Sequence, residues 1–491
     1  MQTMRRSPAA FETSLRAILL FGVIAGIAAS FAPQRHAQAS TNAGTDTVRV
    51  WFGSESPAPP FATWRTAAHS IQDAVDAADS GDVVLVKADT ARVYGASSLR
   101  CIRDCDRYTR VQLRGVLFPK SGVDIAGEPG GPMPILSGGD SIRTVLWITG
   151  TRDATLERLR LRDGGVLFDG EFDSSAVIRG CTIESCRQME GAGMWIKDAA
   201  APLIEGNVFE SNATDTVEHH QNGGALSFLG SLPPKFPRIR GNIFRHNTAG
   251  NNGGAIRVKV ASPIIEGNLF EGNRARGEGG AICVQGGRPK ILGNVFVGNR
   301  ADGRGGAVGI AERFGFRSLD IRGNVFERDS AFAGGALYLS HGGKEPAELE
   351  IFDNTFVDCF ADSVGNVLYV DGPQLETQHI YFNRNILLER DESAAAISRG
   401  TITVTDEGLG PPLDSLDCNL FWPEALHASL ALGRSREREA RSVVAAPQLE
   451  PGDPLFNVIG GGSPCEAGAS PCSAGIGARL GRGPFPRAAH D

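Results

Sequence analysis

The feature that most constrains this chain is a recurring unit, seen whole in Ile265-Glu-Gly-Asn268-Leu-Phe270-Glu-Gly-Asn273 followed by Gly279-Gly-Ala-Ile282-Cys-Val284. Aligned on Ile-x-Gly-Asn-x-Phe, the asparagine falls at 207, 242, 268, 294, 324, 354, 385 and 419, with intervals of 35, 26, 26, 30, 30, 31 and 34 residues. Such intervals are too short for separate domains. Helical repeats of this length need apolar residues at a 3.6-residue period, and a Gly-Asn interruption in every unit breaks that pattern. Each unit therefore reads as one coil of a stacked array.

A coil divides into three short strands. Ile265 and Gly267 alternate with Glu266, Leu269-Phe270 forms a second strand, and Gly279-Gly280 leads into the third, Ala281-Ile-Cys-Val284. Asn268 is expected to bend the chain, because Asn tolerates left-handed geometry, and to bond to the Asn residues above and below. Stacking at the strand spacing of about 4.8 Å gives roughly 10–12 coils and a rod about 50 Å long. A second column reads Cys186, Asn212, Asn247, Asn273, Asn299, Asp329 and Cys359. With a strand between them, Cys181 and Cys186 stand about 16 Å apart, too far for a disulfide, so both are expected to be reduced and buried.

Gly reaches 62 residues and aromatics only 7%, which fits many tight turns. Residues 1–39 read as a secretory signal: Arg5, Arg6 and Arg16 precede the apolar run 17–29, and Ala37-Gln-Ala39 offers a cleavage site. The alternative is an uncleaved anchor, but the run is short for a span of about 20 residues. Removing the leader takes away four Arg and one Glu, moving the formal charge from −7 to −10. That balance argues against nucleic acid as a partner. The mature chain is expected in the secreted, periplasmic or cell-surface space, as a monomer without a transmembrane span. Export permits disulfides; of nine Cys, Cys465 and Cys472 form the foremost pair, then Cys101 and Cys105, and no metal-ligand spacing or cofactor motif appears.

Residues 40–69 hold a strand, Val48–Phe52, and a Pro-rich loop. Ser70 then caps an amphipathic helix over 70–79, with Ile71, Ala74, Val75 and Ala78 on one face. Ser70-Ile-Gln-Asp-Ala-Val-Asp-Ala-Ala78 with Ser80-Gly-Asp-Val-Val-Leu-Val86 resembles the N-terminal cap of the pectin-lyase-like superfamily. That resemblance implies an all-β fold: a single right-handed parallel β-helix over 70–421 with an N-terminal capping helix, closed by a segment at 422–478 and followed by a disordered tail at 479–491. The Phe-x-x-Asn and Gly-Gly-Ala-Ile elements, as in Phe244-Arg-His-Asn247 and Gly253-Gly-Ala-Ile256, also resemble the repeats of polymorphic outer-membrane protein passengers.

A packed interior leaves outward side chains and loops for ligands. Aligning the Gly-Gly-Ala-Ile strands gives one outward column, Trp195, Ser227, Arg257, Cys283, Gly309, Tyr338 and Tyr369. Two residues on lies another, Lys197, Leu229, Lys259, Gln285, Ala311, Ser340 and Asp371. Aromatics at the ends with cations between predict a shallow groove for sugars, using Trp195, Lys197, Gln285, Tyr338, Tyr369 and Asp371. In the superfamily this strand and its loops carry the substrate, so the resemblance implies the same place here. The loop 212–223 adds Glu218 and His220 as general acid or base, with Arg257 or Lys259 to stabilise or deprotonate an intermediate. The same loop also reads as a solvated surface beside a cationic stripe.

Motif sets of polygalacturonase-type hydrolases, alginate epimerases and calcium-dependent pectate lyases are not found. Three readings stay open: a non-catalytic binder of cell-surface or extracellular polysaccharide, a polysaccharide lyase or glycoside hydrolase of unrecognised type, and a structural or adhesive envelope rod.

Overall fold

The computed structural model describes residues 46–95, 117–139, 144–169, 175–198, 200–214, 221–230, 236–311, 318–340, 347–371, 378–389, 400–404, 415–417, 419–422, 439–440 and 443–444. The signal segment, Glu218, His220, the Cys101, Cys105, Cys465 and Cys472 thiols and nearly all of the closing segment lie outside these residues.

The chain winds into a parallel β-solenoid whose coils contribute to four long sheets, here lettered A to D around the coil. The coil that displays the repeat supplies Ile264–Glu266 to sheet A, Leu269–Glu271 to sheet B, Arg274–Ala275 to sheet C and Ile282–Gly287 to sheet D. Sheets A and B have twelve strands each, sheet D ten and sheet C seven. Three strands per coil was thus one too few in this region: the residues after the second ladder position form a two-residue strand of their own, Arg274–Ala275, paired in register with Arg300–Ala301.

At the N-terminal end, strand Thr47–Val50 pairs with Val83–Val86 in sheet A. Between them runs the short helix α1, Ile71–Ala77, whose Ser70 side chain accepts from the Asp73 backbone N–H at 3.4 Å. Its Ile71, Ala74 and Val75 are buried, and it lies against these first two strands. Among the described residues no helix is long and apolar enough to cross a membrane.

Two ladders hold the coils together. Asn268 Nδ2 donates to Asn294 Oδ1 at 3.0 Å, and the Asn268 backbone N–H donates to the same oxygen at 2.9 Å. The amide also donates to the Ile239 carbonyl of the preceding coil at 2.9 Å. This triple bond set repeats along the first ladder, so each buried amide is satisfied and fixes the register of its neighbours. Inside the solenoid, Phe209, Phe244, Phe270, Phe296, Phe326 and Phe356 stack with ring centroids 4.8–4.9 Å apart, the spacing of the strands themselves. On the outer faces of sheets A and B, charged side chains pair across coils, as Arg240 with Glu205 and Arg245 with Glu210, both at 2.8 Å. These half-exposed pairs add little stability.

The bend beside each ladder asparagine differs from expectation. The left-handed residue is the one before it: Gly267 (φ 60°) before Asn268, Gly272 (φ 60°) before Asn273, Ser211 (φ 54°) before Asn212. A left-handed Asn would swing its amide away from the axis, whereas a left-handed predecessor turns the chain and leaves the amide in line. Cys181 and Cys186 are buried thiols with no disulfide, separated by strand Thr182–Glu184 as expected. Burial pushes the Cys181 thiol up to about 12 and lifts Cys186 further, so neither is a reactive thiolate.

Candidate ligand-binding face

Sheet D sets the outward residues in registered columns. The first runs Trp147, Leu167, Trp195, Ser227, Arg257, Cys283, Gly309, Tyr338 and Tyr369. The second includes Lys197, Leu229, Lys259 and Gln285, and farther on Ala311, Ser340 and Asp371. The columns divide into three zones.

The middle zone is closed. Ser227 and Cys283 are fully buried, Arg257 is 7% exposed and Gln285 4%. The expected continuous open groove is therefore interrupted, for a local reason. The x-Gly-Gly turn before each strand folds back over the column: a Cβ on Gly309 would stand 2.6 Å from the Gly279 nitrogen and 3.1 Å from Glu278 Cβ, on the coil beside it. Under this roof Arg257 Nη1 donates to Glu190 Oε1 at 2.6 Å, and its Nε and Nη2 donate to Gln285 Oε1 at 3.1 and 3.0 Å. Ser227 Oγ donates to the same Glu190 oxygen at 2.6 Å, and Asn222 Nδ2 to the other at 3.3 Å. The network joins four coils and engages all three guanidinium nitrogens of Arg257.

The C-terminal zone is half-open. Arg304 Nη1 donates to Tyr338 Oη at 2.6 Å and lies 3.2 Å from Asp371 Oδ2, while Tyr338 Oη donates to that carboxylate at 3.4 Å. Tyr369 stacks on Tyr338 at 5.8 Å, and the Arg304 guanidinium sits 5.0 Å from the Tyr338 ring centre. Tyr338 is 1% exposed, so Tyr369, Asp371 and Arg304 form the accessible surface. Burial holds both phenols above the ordinary tyrosine value, so they remain neutral hydrogen-bonding groups.

The N-terminal zone is an aromatic platform. Trp147 and Trp195 are half-buried and lie two strands apart, about 10 Å, with Leu167 between. Phe118 packs beside Trp147 at 5.7 Å, and Lys197 Nζ lies 5.1 Å from the Trp195 ring centre. Both indole Nε1 atoms are buried and have no hydrogen-bond partner.

The structure thus groups Trp195 with Lys197, Arg257 with Gln285, and Tyr338 with Tyr369 and Asp371, in three places. Lys259 is half-buried in the second column beside Gln285, and Glu190, Trp147 and Arg304 join the face without having been singled out in the sequence. Glu190 and Arg304 each immediately precede a turn glycine, and reading that position as a column (Glu190, Asn222, Asn252, Glu278, Arg304) finds both. Trp147 sits in a coil without the Gly-Gly signature, and the wholly apolar run Val145-Leu-Trp-Ile148 has no alternation to mark it as outward. Among the described residues no cluster of His, Cys, Asp and Glu has the makings of a metal site.

Residues 237–387 match the family model described as "Right handed beta helix region", and they lie within the chain's parallel β-solenoid. Its structure is similar to the catalytic unit of a thermostable GH87 alpha-1,3-glucanase from Streptomyces thermodiastaticus, at 16% identity and a TM-score of 0.41, covering 76% of this chain and 69% of that one. It is also similar to a mannuronic acid specific polysaccharide family 6 lyase from human gut microbiota, at 14% identity and a TM-score of 0.37, covering 75% and 86%. None of the curated proteins matches the sequence.

Proposed function

We propose that the outer face of sheet D binds an extended polysaccharide, with Trp147 and Trp195 as stacking platforms for sugar rings. The observation that carries this reading is the pair of half-buried indoles two strands apart in one outward column. Rings at that spacing suit alternate sugars of a polymer lying along the solenoid. Lys197 beside Trp195, and Arg304, Asp371 and Tyr369 at the far end, provide the polar contacts that fix orientation. In this reading Arg257 and Gln285 shape the floor rather than touch the sugar. The chain works outside the cytoplasm as a monomer after losing residues 1–39, and α1 shields the end of the core.

The test is a glycan array on the mature chain, combined with reducing-end and unsaturated-uronate assays. Binding without turnover, lost in Trp195→Ala, supports the proposal; no binding across neutral and anionic glycans leaves an envelope rod and defeats it.

A catalytic reading, lyase or hydrolase, has one feature in its favour: the Tyr338 phenol donates to the Asp371 carboxylate, which could take its proton, while Arg304 beside them supplies positive charge. Turnover abolished by Tyr338→Phe, or by substitution of Lys259, Glu218 or His220, would establish it.

A further inference from the structure

Three large apolar side chains are exposed among the described residues, and two of them, Phe332 (55%) and Phe360 (36%), sit on neighbouring strands of sheet C, Ser330–Ala333 and Phe360–Val364. The repeat requires neither. Arg274 and Arg300 stand in line with Phe360 on the preceding coils, and by count from the ladder residue Arg276 and Asp302 hold the place of Phe332. Solvated polar groups satisfy these positions wherever the solenoid alone is concerned.

The strands that carry the two rings also break the register of the sheet: Ala331 pairs with Ala361, but Ala333 pairs with Val364. The extra residue lies in the strand of Phe360, so that Asp362 and Ser363 stand opposite the single Phe332. Two exposed rings on neighbouring strands, beside a charged row, form a small apolar patch.

The chemistry distinguishes between occupants. Side chains of a sheet stand roughly perpendicular to it, so both rings project outward from sheet C. A phenylalanine ring has no polar handle with which to orient a sugar. Projecting rings suit an apolar layer. The exposed Arg274, Arg276 and Arg300 lie on the two preceding coils, Arg300 on the nearer one, and guanidinium forks match phosphate oxygens. Of the two carboxylates on this face, Asp302 is held by Arg274 at 2.9 and 3.1 Å and lies 3.7 Å from Arg300; Asp362 stands beside the rings. The patch remains net positive on a chain whose formal charge is −7.

We propose that the outer face of sheet C docks on an anionic lipid surface, with Phe332 and Phe360 entering the acyl boundary and the three arginines on headgroup phosphates. This surface is separate from sheet D and does not depend on glycan binding there.

The experiment is flotation of the full chain with phosphatidylglycerol-containing vesicles and with pure phosphatidylcholine vesicles. Binding is expected to the anionic vesicles, about tenfold weaker in Phe332→Ser/Phe360→Ser and about fivefold weaker in Arg276→Glu. All three side chains are exposed, so an unchanged thermal transition verifies folding, and Trp195→Ala leaves vesicle binding intact. Failure to float with anionic vesicles, or flotation indifferent to the double phenylalanine substitution, overturns the proposal. So does retention by a soluble acidic glycan that the same substitutions abolish without any vesicle binding, which assigns the face to sugar.

Discussion

Asp329 Oδ1 accepts from both the backbone N–H and the side-chain Nδ2 of Asn299, at 2.8 and 2.9 Å, and so stands in for an amide oxygen in the second ladder. Its other oxygen, Oδ2, is buried without a partner. In the preceding coils Asn273 and Asn299 use Nδ2 to donate to the carbonyls of Phe244 and Phe270. A carboxylate cannot donate there; a carboxylic acid can. Burial, only partly opposed by the bonds from Asn299, pushes the Asp329 carboxyl up to about 8.

Stability should therefore fall as pH rises. The unfolded chain releases this proton near 3.8 and the folded chain near 8, so between those values the folded state binds the extra proton. The slope is negative, at most about 1.4 kcal/mol per pH unit, and the stabilisation is complete only below the lower value. Asp329→Asn restores the amide donor and should remove this component while raising stability at pH 8. Denaturant titrations of both proteins from pH 5 to 8 decide the matter: parallel pH dependences would show that Asp329 ionises normally.

The Glu190–Arg257 contact predicts strong coupling. With 12% and 9% of their side chains exposed, each would leave the other charge stranded if truncated. Arg257→Met alone should cost about 3–5 kcal/mol, whereas Glu190→Gln with Arg257→Met should cost much less than the single costs combined. Urea unfolding of the four members of the cycle measures this. Simple additivity would mean that the pair is solvated in solution.

Two glycines of the repeat should respond very differently to Ala. Gly280 packs under the next coil, where a Cβ would stand 2.0 Å from the Gly306 carbonyl oxygen. The coils cannot separate without losing their shared hydrogen bonds, so Gly280→Ala should cost more than about 3 kcal/mol. Gly293 is left-handed at φ 58°, but its Cβ would meet nothing within 4 Å. Gly293→Ala should therefore show only the conformational penalty, about 1 kcal/mol. Ser211→Gly reverses that penalty at φ 54° and should stabilise by a few tenths to about 1 kcal/mol. Thermal unfolding ranks the three.

The architecture was legible because the same atoms that build it repeat at a fixed interval. Asn268, Phe270 and Gly280 each meet their own counterparts one coil away, so spacing alone placed them. The candidate face was legible only in part. Column alignment put Trp195, Tyr338 and Tyr369 in one line, as they are, but it could not show that turns roof the centre and bury Ser227 and Cys283. That closure depends on glycine backbone lying over the adjacent coil, which a pattern of side chains does not record. The fourth strand went unseen for a similar reason: two residues such as Arg274–Ala275 are too few to show an alternation. The bend was misassigned because Asn tolerates left-handed geometry, and only the coordinates reveal that its neighbour adopts it.

The platform on sheet D makes a prediction that grades ring stacking by aromatic area. If Trp195 stacks on a sugar, Trp195→Phe keeps a smaller aromatic face and should weaken binding by about 1 kcal/mol. Trp195→Ala loses the ring altogether and should cost about 2 kcal/mol or more. Trp147→Ala should resemble it, because Trp147 presents the same half-buried indole two strands away. Lys197→Met should have a smaller effect, since its ammonium already rests 5.1 Å from the Trp195 ring centre. Calorimetric titration with the best ligand from the array reads all four variants. Equal losses for Phe and Ala at 195 would rule out stacking graded by aromatic area there, and unchanged binding in both tryptophan variants would move the ligand off this face.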